Sequence, residues 1–261
     1  MRARLVVPFL VAGLVSSCSG AETGSPATSA AGADPSVSGQ LTVFAASSLT
    51  DAFTEIGDTF RSAHPEVEVT FSFGGSSDLV AQLAEGAPAD VLATADESTM
   101  ATAVEAGSVV GLPAVFATNT FGIIVEAGNP KGVGGVADLA DPSLLVVLCA
   151  ETVPCGKGAA AVLANVGVTV NAVSFEQKVK GVVTKVASGE ADAGIVFVTD
   201  IAAAGDAASG VEIPAEVNVT NSYALAVTSE APNTAAAEAF ASFVTSAQGR
   251  SILEAYGFGL P

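Results

Sequence analysis

Two pairs of adjacent serines stand where an apolar run gives way to a helical pattern. They are Ser47 and Ser48 in "VFAASSLT", and Ser76 and Ser77 in "FGGSSDL". A serine hydroxyl is a rotatable donor, and the first N–H groups of a helix have no intrahelical acceptor and form the positive end of its dipole. Hydroxyls and amides at such a join can hold an anion without any Lys or Arg. Plain helix capping is the competing use, and Ser48 followed by Asp51 has the form of a capping box. For Ser48 and Ser76 the residues alone leave capping and anion binding both open, whereas Ser47 is expected to face the sheet or support the turn. Cys155, after Pro154, falls at a third helix start.

These residues need elements to hold them. From Gln40 onward, short β-branched runs alternate with helical patterns, which predicts a mainly parallel sheet with helices against it. "LTVFAA", "VEVTFSF", "ADVLATAD", "TFGIIVEAG", "LLVVLCA", "AGIVFVTD" and "SYALAV" read as strands. Leu49, Ala52, Phe53, Ile56 and Phe60 have helical spacing, and Pro65 ends that helix. "PCGKGAAAVLANVG" and "FEQKVKGVVTKVASG" read as helices, as does the closing stretch that begins at Asn233.

The chain has 261 residues, half of them hydrophobic, and a net charge of −18. Length and composition allow a substantial core in one large or two modest domains. The acidity argues against nucleic acid as a partner. It also means that an anion must be held by local dipoles. At a Debye length of about 8 Å, distant surface acids such as Asp58, Glu66, Glu85 and Glu105 are muted.

Residues 1–17 read as an export signal, with Arg2 and Arg4 before an apolar segment too short to span a membrane. The ending "VSSC" resembles a bacterial lipoprotein cleavage site, which implies an acylated Cys18. Residues 18–39, rich in Ser, Ala, Gly, Thr and Pro, read as a flexible tether. Loss of Arg2 and Arg4 would leave 7 basic against 27 acidic residues, a net charge of −20. Cys149 and Cys155 remain. In an exported chain this even, close pair points to a structural disulfide. A metal pair or a redox pair are the alternatives, though the sole histidine is His64 and the spacing is not C-x-x-C.

Four stretches, "VFAASSL", "GAPADVLATAD", "GIVFVTD" and the terminal "YGF", occur in the order found in the molybdate-binding proteins of bacterial ABC importers. The chain resembles that family across its whole folded region. The resemblance implies an α/β chain with the two-lobed periplasmic-binding-protein fold of type II, the ligand lying in a cleft between lobes joined by two crossing segments. Lobe one is then 40–117 plus 222–261, and lobe two is 118–221. It further implies extracytoplasmic capture of molybdate or tungstate by a lipid-anchored monomer, delivery to a membrane permease, no catalysis and no cofactor. Ser48 and Ser76 match the family's hydroxyl-and-amide donors, Ala95 falls at the cleft, and Cys155 and Val179 match backbone-amide donors. Where the family often carries a tyrosine, this chain has Phe197, so that hydroxyl is missing.

Other readings fit less well. No G-x-S-x-G elbow is present for a hydrolase, although Lys157 and Lys178 leave a Ser-Lys mechanism open by count. An amino-acid binder would clamp a carboxylate with arginine, but Arg61 and Arg250 are expected to face outward. A ferric-ion binder would draw on Tyr223 and Tyr256. Another tetrahedral oxyanion, chiefly sulfate, is the serious alternative. "KGVGG" and "GGSS" match no nucleotide loop, and "NVT" at Asn218 is a weak glycosylation triplet.

Overall fold

A computed structural model describes residues 37–261. The expected signal segment, the lipidation site Cys18 and all but the end of the tether lie outside the described residues. Strand β1 (Gly39–Ala46) leads through a 3-10 turn (Ser47–Leu49) into α1 (Thr50–Ala63). The units β2 (Val67–Gly74) with α2 (Ser76–Ala84), and β3 (Val91–Thr94) with α3 (Glu97–Glu105), repeat the scheme. A long strand, β4 (Val109–Glu126), follows. Next come β5 (Val146–Cys149), α4 (Pro154–Val166), β6 (Ser174–Glu176), α5 (Val179–Ala187), β7 (Ala193–Phe197), α6 (Val198–Ala204) and β8 (Ala208–Glu212). Strand β9 (Thr220–Thr228) and helices α7 (Thr234–Thr245) and α8 (Ala247–Ala255) close the chain.

The strands run in the order β2-β1-β3-β9-β4-β7-β5-β6, with β8 also on β4. The β1/β2, β1/β3, β5/β6 and β5/β7 pairs are parallel, whereas β3/β9, β4/β9, β4/β7 and β4/β8 are antiparallel. The expectation of a mainly parallel sheet is thus corrected to a mixed one. Alternating β and α segments set the parallel pairs, but β4 and β9 pair with each other through the middle of the sheet. Residues Val109–Thr120 of β4 face β9, and from Phe121 onward the partner becomes β7. Asn218 fastens this change of partner. Its Oδ1 accepts from the Phe121 amide at 3.1 Å, and its Nδ2 donates to the Phe121 carbonyl at 2.8 Å.

Each parallel set is tied by an aspartate placed just before a strand. Asp90 accepts from the Thr42 amide at 2.7 Å, and Asp192 from the Leu145 amide at 2.7 Å. Both are buried, so each carboxylate satisfies backbone donors that would otherwise be costly to bury. Phe53, Phe60, Phe116 and Phe240 fill the core beneath α1, with ring centroids 5.4–6.1 Å apart in tilted and edge-on contacts.

Three further expectations change. Phe175 and Glu176 belong to β6 rather than to a helix, which starts only at Val179. Strand β4 begins at Val109, well before Thr120, and α6 and β8 were not foreseen. The early part of β4 is interrupted by an irregularity between Val110 and Ala114, where Gly111 takes φ 71°. That glycine and Pro113 obscure the strand pattern. Arg61 and Arg250 are exposed, as expected, and His64 caps the C-terminus of α1 with its ring 4.5 Å from that of Phe60. Among the described residues no helix is long and apolar enough to cross a membrane.

Candidate functional site

At the C-terminal ends of the parallel strands lies a small cavity of about 10 Å³, at the position where ligands bind in open α/β sheets. One wall comes from the ends of β1, β2 and β3, with Ser47, Ser48, Gly75, Ser76 and Ala95. The other comes from the segments after β5, β6 and β7, with Cys155, Lys178, Val179 and Phe197. All six residues expected to contact the ligand (Ser48, Ser76, Ala95, Cys155, Val179 and Phe197) therefore meet at one place.

Helix starts supply the chemistry. Ser76 is the first residue of α2, Cys155 the second of α4 and Val179 the first of α5. Ser47 and Ser48 form the turn that leads into α1. None of these starts has a side-chain cap, and neither does α6, which follows Phe197. Their leading N–H groups have no intrahelical acceptor, and they sit around a common space. The capping box expected at Ser48 and Asp51 is absent. Ser48 lies inside the 3-10 turn, and its Oγ reaches across to the Tyr223 hydroxyl at 2.9 Å instead. Ser47 lines the cavity too, while its carbonyl supports the turn by accepting from Thr50 Oγ1 at 2.7 Å. Ser76 Oγ accepts from the Ala95 amide at 3.1 Å, which leaves its own hydrogen free and uses the Ala95 N–H internally.

The walls touch around the cavity. Ser77 Oγ donates to the Thr152 carbonyl at 2.8 Å. Lys157 Nζ reaches Asp96 at 3.2 Å, Ser98 at 2.8 Å and Thr99 at 3.1 Å, and Lys180 Nζ lies 3.3 Å from Asp51. A Cβ on Gly75 would come within 2.2 Å of the Gln177 carbonyl, so the close approach of the walls requires glycine there.

Phe197 is buried, its ring 4.7 Å from that of Phe121 and 5.7 Å from that of Tyr223. Tyr223 is also fully buried. Burial, reinforced by the nearby Asp200 charge, raises its pKa, so its hydroxyl stays protonated. Asp200, in the first turn of α6, has a wholly buried side chain. Burial pushes its pKa up to about 7 against the opposing pull of Lys180, whose Nζ is 3.4 Å from Oδ1 without a well-aligned hydrogen bond. The structure pairs Cys149 with Cys155 at a Cα separation of 5.7 Å, tying the end of β5 to the start of α4. Among the described residues no cluster of His, Cys, Asp and Glu is arranged to hold a metal ion.

Sequence reasoning missed Ser47, Gly75, Lys178 and Tyr223. The glycine pair before Ser76 and the position of Lys178 just before Val179 were signals for two of them. Tyr223 lies far along the chain from Ser48, and only the β4/β9 pairing brings it near.

The family model for bacterial extracellular solute-binding proteins matches residues 41–259. The molybdate-binding protein ModA of Mycobacterium tuberculosis is 43% identical over 257 residues, covering 98% of this chain and 97% of that protein. Among solved structures, the periplasmic molybdate-binding protein of Azotobacter vinelandii superposes with a TM-score of 0.76 at 24% identity, over 85% of this chain and 99% of that one. The sulfate-binding protein SubI of Mycobacterium tuberculosis also gives 0.76, at 22% identity over 84% of this chain and 86% of that one. At these identities the two structures show a shared fold. The chain belongs to the bacterial extracellular solute-binding protein family and is a relative of its ModA members.

Proposed function

We propose that this protein captures molybdate, and tungstate with it, outside the cytoplasm and delivers it to the permease of an ABC importer. The observation that carries the reading is the convergence of uncapped helix starts and serine hydroxyls on one small cavity. Hydrogen bonds to a charged group contribute roughly 1.5–3 kcal/mol each. Half a dozen of them offset much of the desolvation of a dianion, even in a chain of net charge −18. The 43% identity to a molybdate-binding relative supports the choice of anion.

In this reading Ser48 and Ser76 give hydroxyl and amide donors, Cys155 and Val179 give amides, and Ala95 and Phe197 shape the wall. Donors alone suit fully deprotonated tetrahedral dianions, because the proton on phosphate would need an acceptor. Lobe one (40–117 and 222–261) and lobe two (118–221) close on the ligand, and the Lys157, Lys180 and Ser77 contacts hold the closed form. The chain is a monomeric carrier without catalytic activity, anchored by lipid on Cys18, and Cys149–Cys155 is a disulfide in the exported protein.

Thermal unfolding of the purified protein with each anion tests this. Trp is absent, so calorimetry or an added dye is the appropriate probe. Ligand at a thousand times its Kd adds about 4 kcal/mol, roughly 8–16 °C for a chain of this length. A rise with molybdate and tungstate but not with sulfate or phosphate supports the assignment. An equal or larger rise with sulfate moves it to a sulfate carrier, and no rise with any anion overturns it.

A further inference from the structure

We propose that Tyr223 and Asn119 are positioning residues that fix the direction of the Ser48 hydroxyl, so that its hydrogen is presented to the bound oxyanion. This rests on the functional reading above and deepens it by assigning the origin of discrimination against protonated anions.

The hydrogens run in one direction through a buried chain. Asn119 is buried, and its Oδ1 accepts from the Thr120 amide at 3.0 Å. A backbone N–H cannot reverse, so this contact sets which end of the Asn119 amide is which. Its Nδ2 then faces Thr199 Oγ1 at 2.8 Å and the Tyr223 hydroxyl at 3.4 Å, donating one hydrogen to each. The Tyr223 oxygen therefore accepts, and its single hydrogen goes to its other neighbour, Ser48 Oγ, at 2.9 Å. Ser48 Oγ in turn accepts, which leaves its own hydrogen for the cavity that it lines. The order is Asn119 to Tyr223 to Ser48 to anion, each link a donor to the next. Such chains polarise one another in the same sense.

Without the relay, a serine hydroxyl is free to present either its hydrogen or its lone pairs. With it, Tyr223 occupies one of the two lone pairs and the Ser48 hydrogen is not spent on the phenol, so it is presented to the cavity, where it opposes the proton of hydrogen phosphate. The tyrosine thus acts on selectivity although it does not line the cavity. Its ring also packs against Phe197, the position where the family's hydroxyl is missing. A buried phenol thus influences the site through Ser48.

The test is a double-mutant cycle by titration calorimetry, using Tyr223→Phe, Ser48→Ala and the double variant, with molybdate and with phosphate. Tyr223→Phe is expected to weaken molybdate about tenfold and to reduce the preference for molybdate over phosphate about tenfold. In the Ser48→Ala background it is expected to change molybdate affinity by less than twofold. Equal loss for both anions, equal loss in both backgrounds, or no loss overturns the relay, because a merely structural phenol would act in those ways.

Asn119→Asp provides a second route should Tyr223→Phe fail to fold. An acceptor at this position reverses the chain and turns a Ser48 lone pair into the cavity. Molybdate affinity should fall at least a hundredfold, and by clearly less in the Ser48→Ala background. An equal fall in both backgrounds overturns the proposal. If the wild-type protein binds sulfate instead, the molybdate assignment fails and the same cycle run with sulfate decides the relay. If it binds no oxyanion, both fail.

Discussion

Of the eight α-helices among the described residues, four begin at the cavity, α1 is entered from it through the 3-10 turn Ser47–Leu49, and three begin elsewhere. The two groups start differently. Helices α3, α7 and α8 begin with Asp96, Asn233 and Ser246, whose side chains accept from Thr99, Ala236 and Gly249 amides. Helices α1, α2, α4, α5 and α6 have no such bond. A side-chain cap contributes about 1 kcal/mol, so leaving these starts without one forgoes stability at one place only. In the proposed function the bare N–H groups are the binding chemistry. On that reading the difference separates helix starts that stabilise the fold from helix starts left open for a ligand.

The comparison breaks most sharply if one start is moved from one group to the other. Lys178 precedes α5, lines the cavity and has the extended backbone (φ −152°, ψ 149°) that an N-cap needs. Lys178→Asp should cap α5 and place a carboxylate where the anion sits. We expect the ligand-free protein to gain about 1 kcal/mol, or about 2–4 °C in Tm, while molybdate binding falls more than a thousandfold by calorimetry. Ser246→Ala at a capped start should do the opposite, losing about 1 kcal/mol of stability with Kd unchanged. If both variants move stability and binding in the same direction, the division of labour is wrong.

How much of this was readable beforehand follows the same division. The serines, Cys155 and Val179 were legible because a helix start is a local event, marked by Gly, Ser or Pro beside an apolar run. The capped starts at Asn233 and Pro154's place at the head of α4 were legible for the same reason. What was lost is non-local. Strand β4 was half missed because its bulge at Gly111 breaks the alternation. The mixed direction of the sheet was missed because pairing of β3 with β9 leaves no trace in either segment. Ser48 shows both sides: its place at the cavity was foreseen, but its partner was not. A capping box was expected from Asp51, whereas the hydroxyl turns to Tyr223, which lies 175 positions away.

The bare start of α6 has a peculiarity that pH exposes. Asp200 in its first turn is buried and titrates near 7, well above the usual carboxylate value of 3.8. Between about pH 4 and 7 the folded state therefore holds a proton that the unfolded state has released. Stability falls as pH rises through that window, and the penalty is complete above it. Asp200→Asn removes the penalty but also costs Lys180 a partner. We expect the variant to gain on the wild type by about 4 kcal/mol between pH 4 and 8, read as about 8–16 °C of relative Tm. Parallel Tm profiles for the two proteins over that range would show that Asp200 is already charged in the folded state, balanced by Lys180.

Phe197→Tyr sharpens the comparison at its weakest point. Phe197 ends β7, immediately precedes α6 and lines the cavity, yet offers the ligand no polar side-chain atom. If bare helix starts and two serines leave one oxygen of the anion without a donor, a hydroxyl added here should supply it. A hydrogen bond to a charged group is worth at least about 1.5 kcal/mol, so molybdate should bind about tenfold tighter. The Tyr223 ring is the obstacle: its centroid lies 5.7 Å from that of Phe197, and its hydroxyl already holds Ser48. A hydroxyl that displaced this contact would gain one donor and release another. Calorimetry distinguishes the cases. Tighter binding means that the missing tyrosine was an unfilled position, whereas an unchanged or weaker Kd means that helix starts and the oriented serine already satisfy the anion.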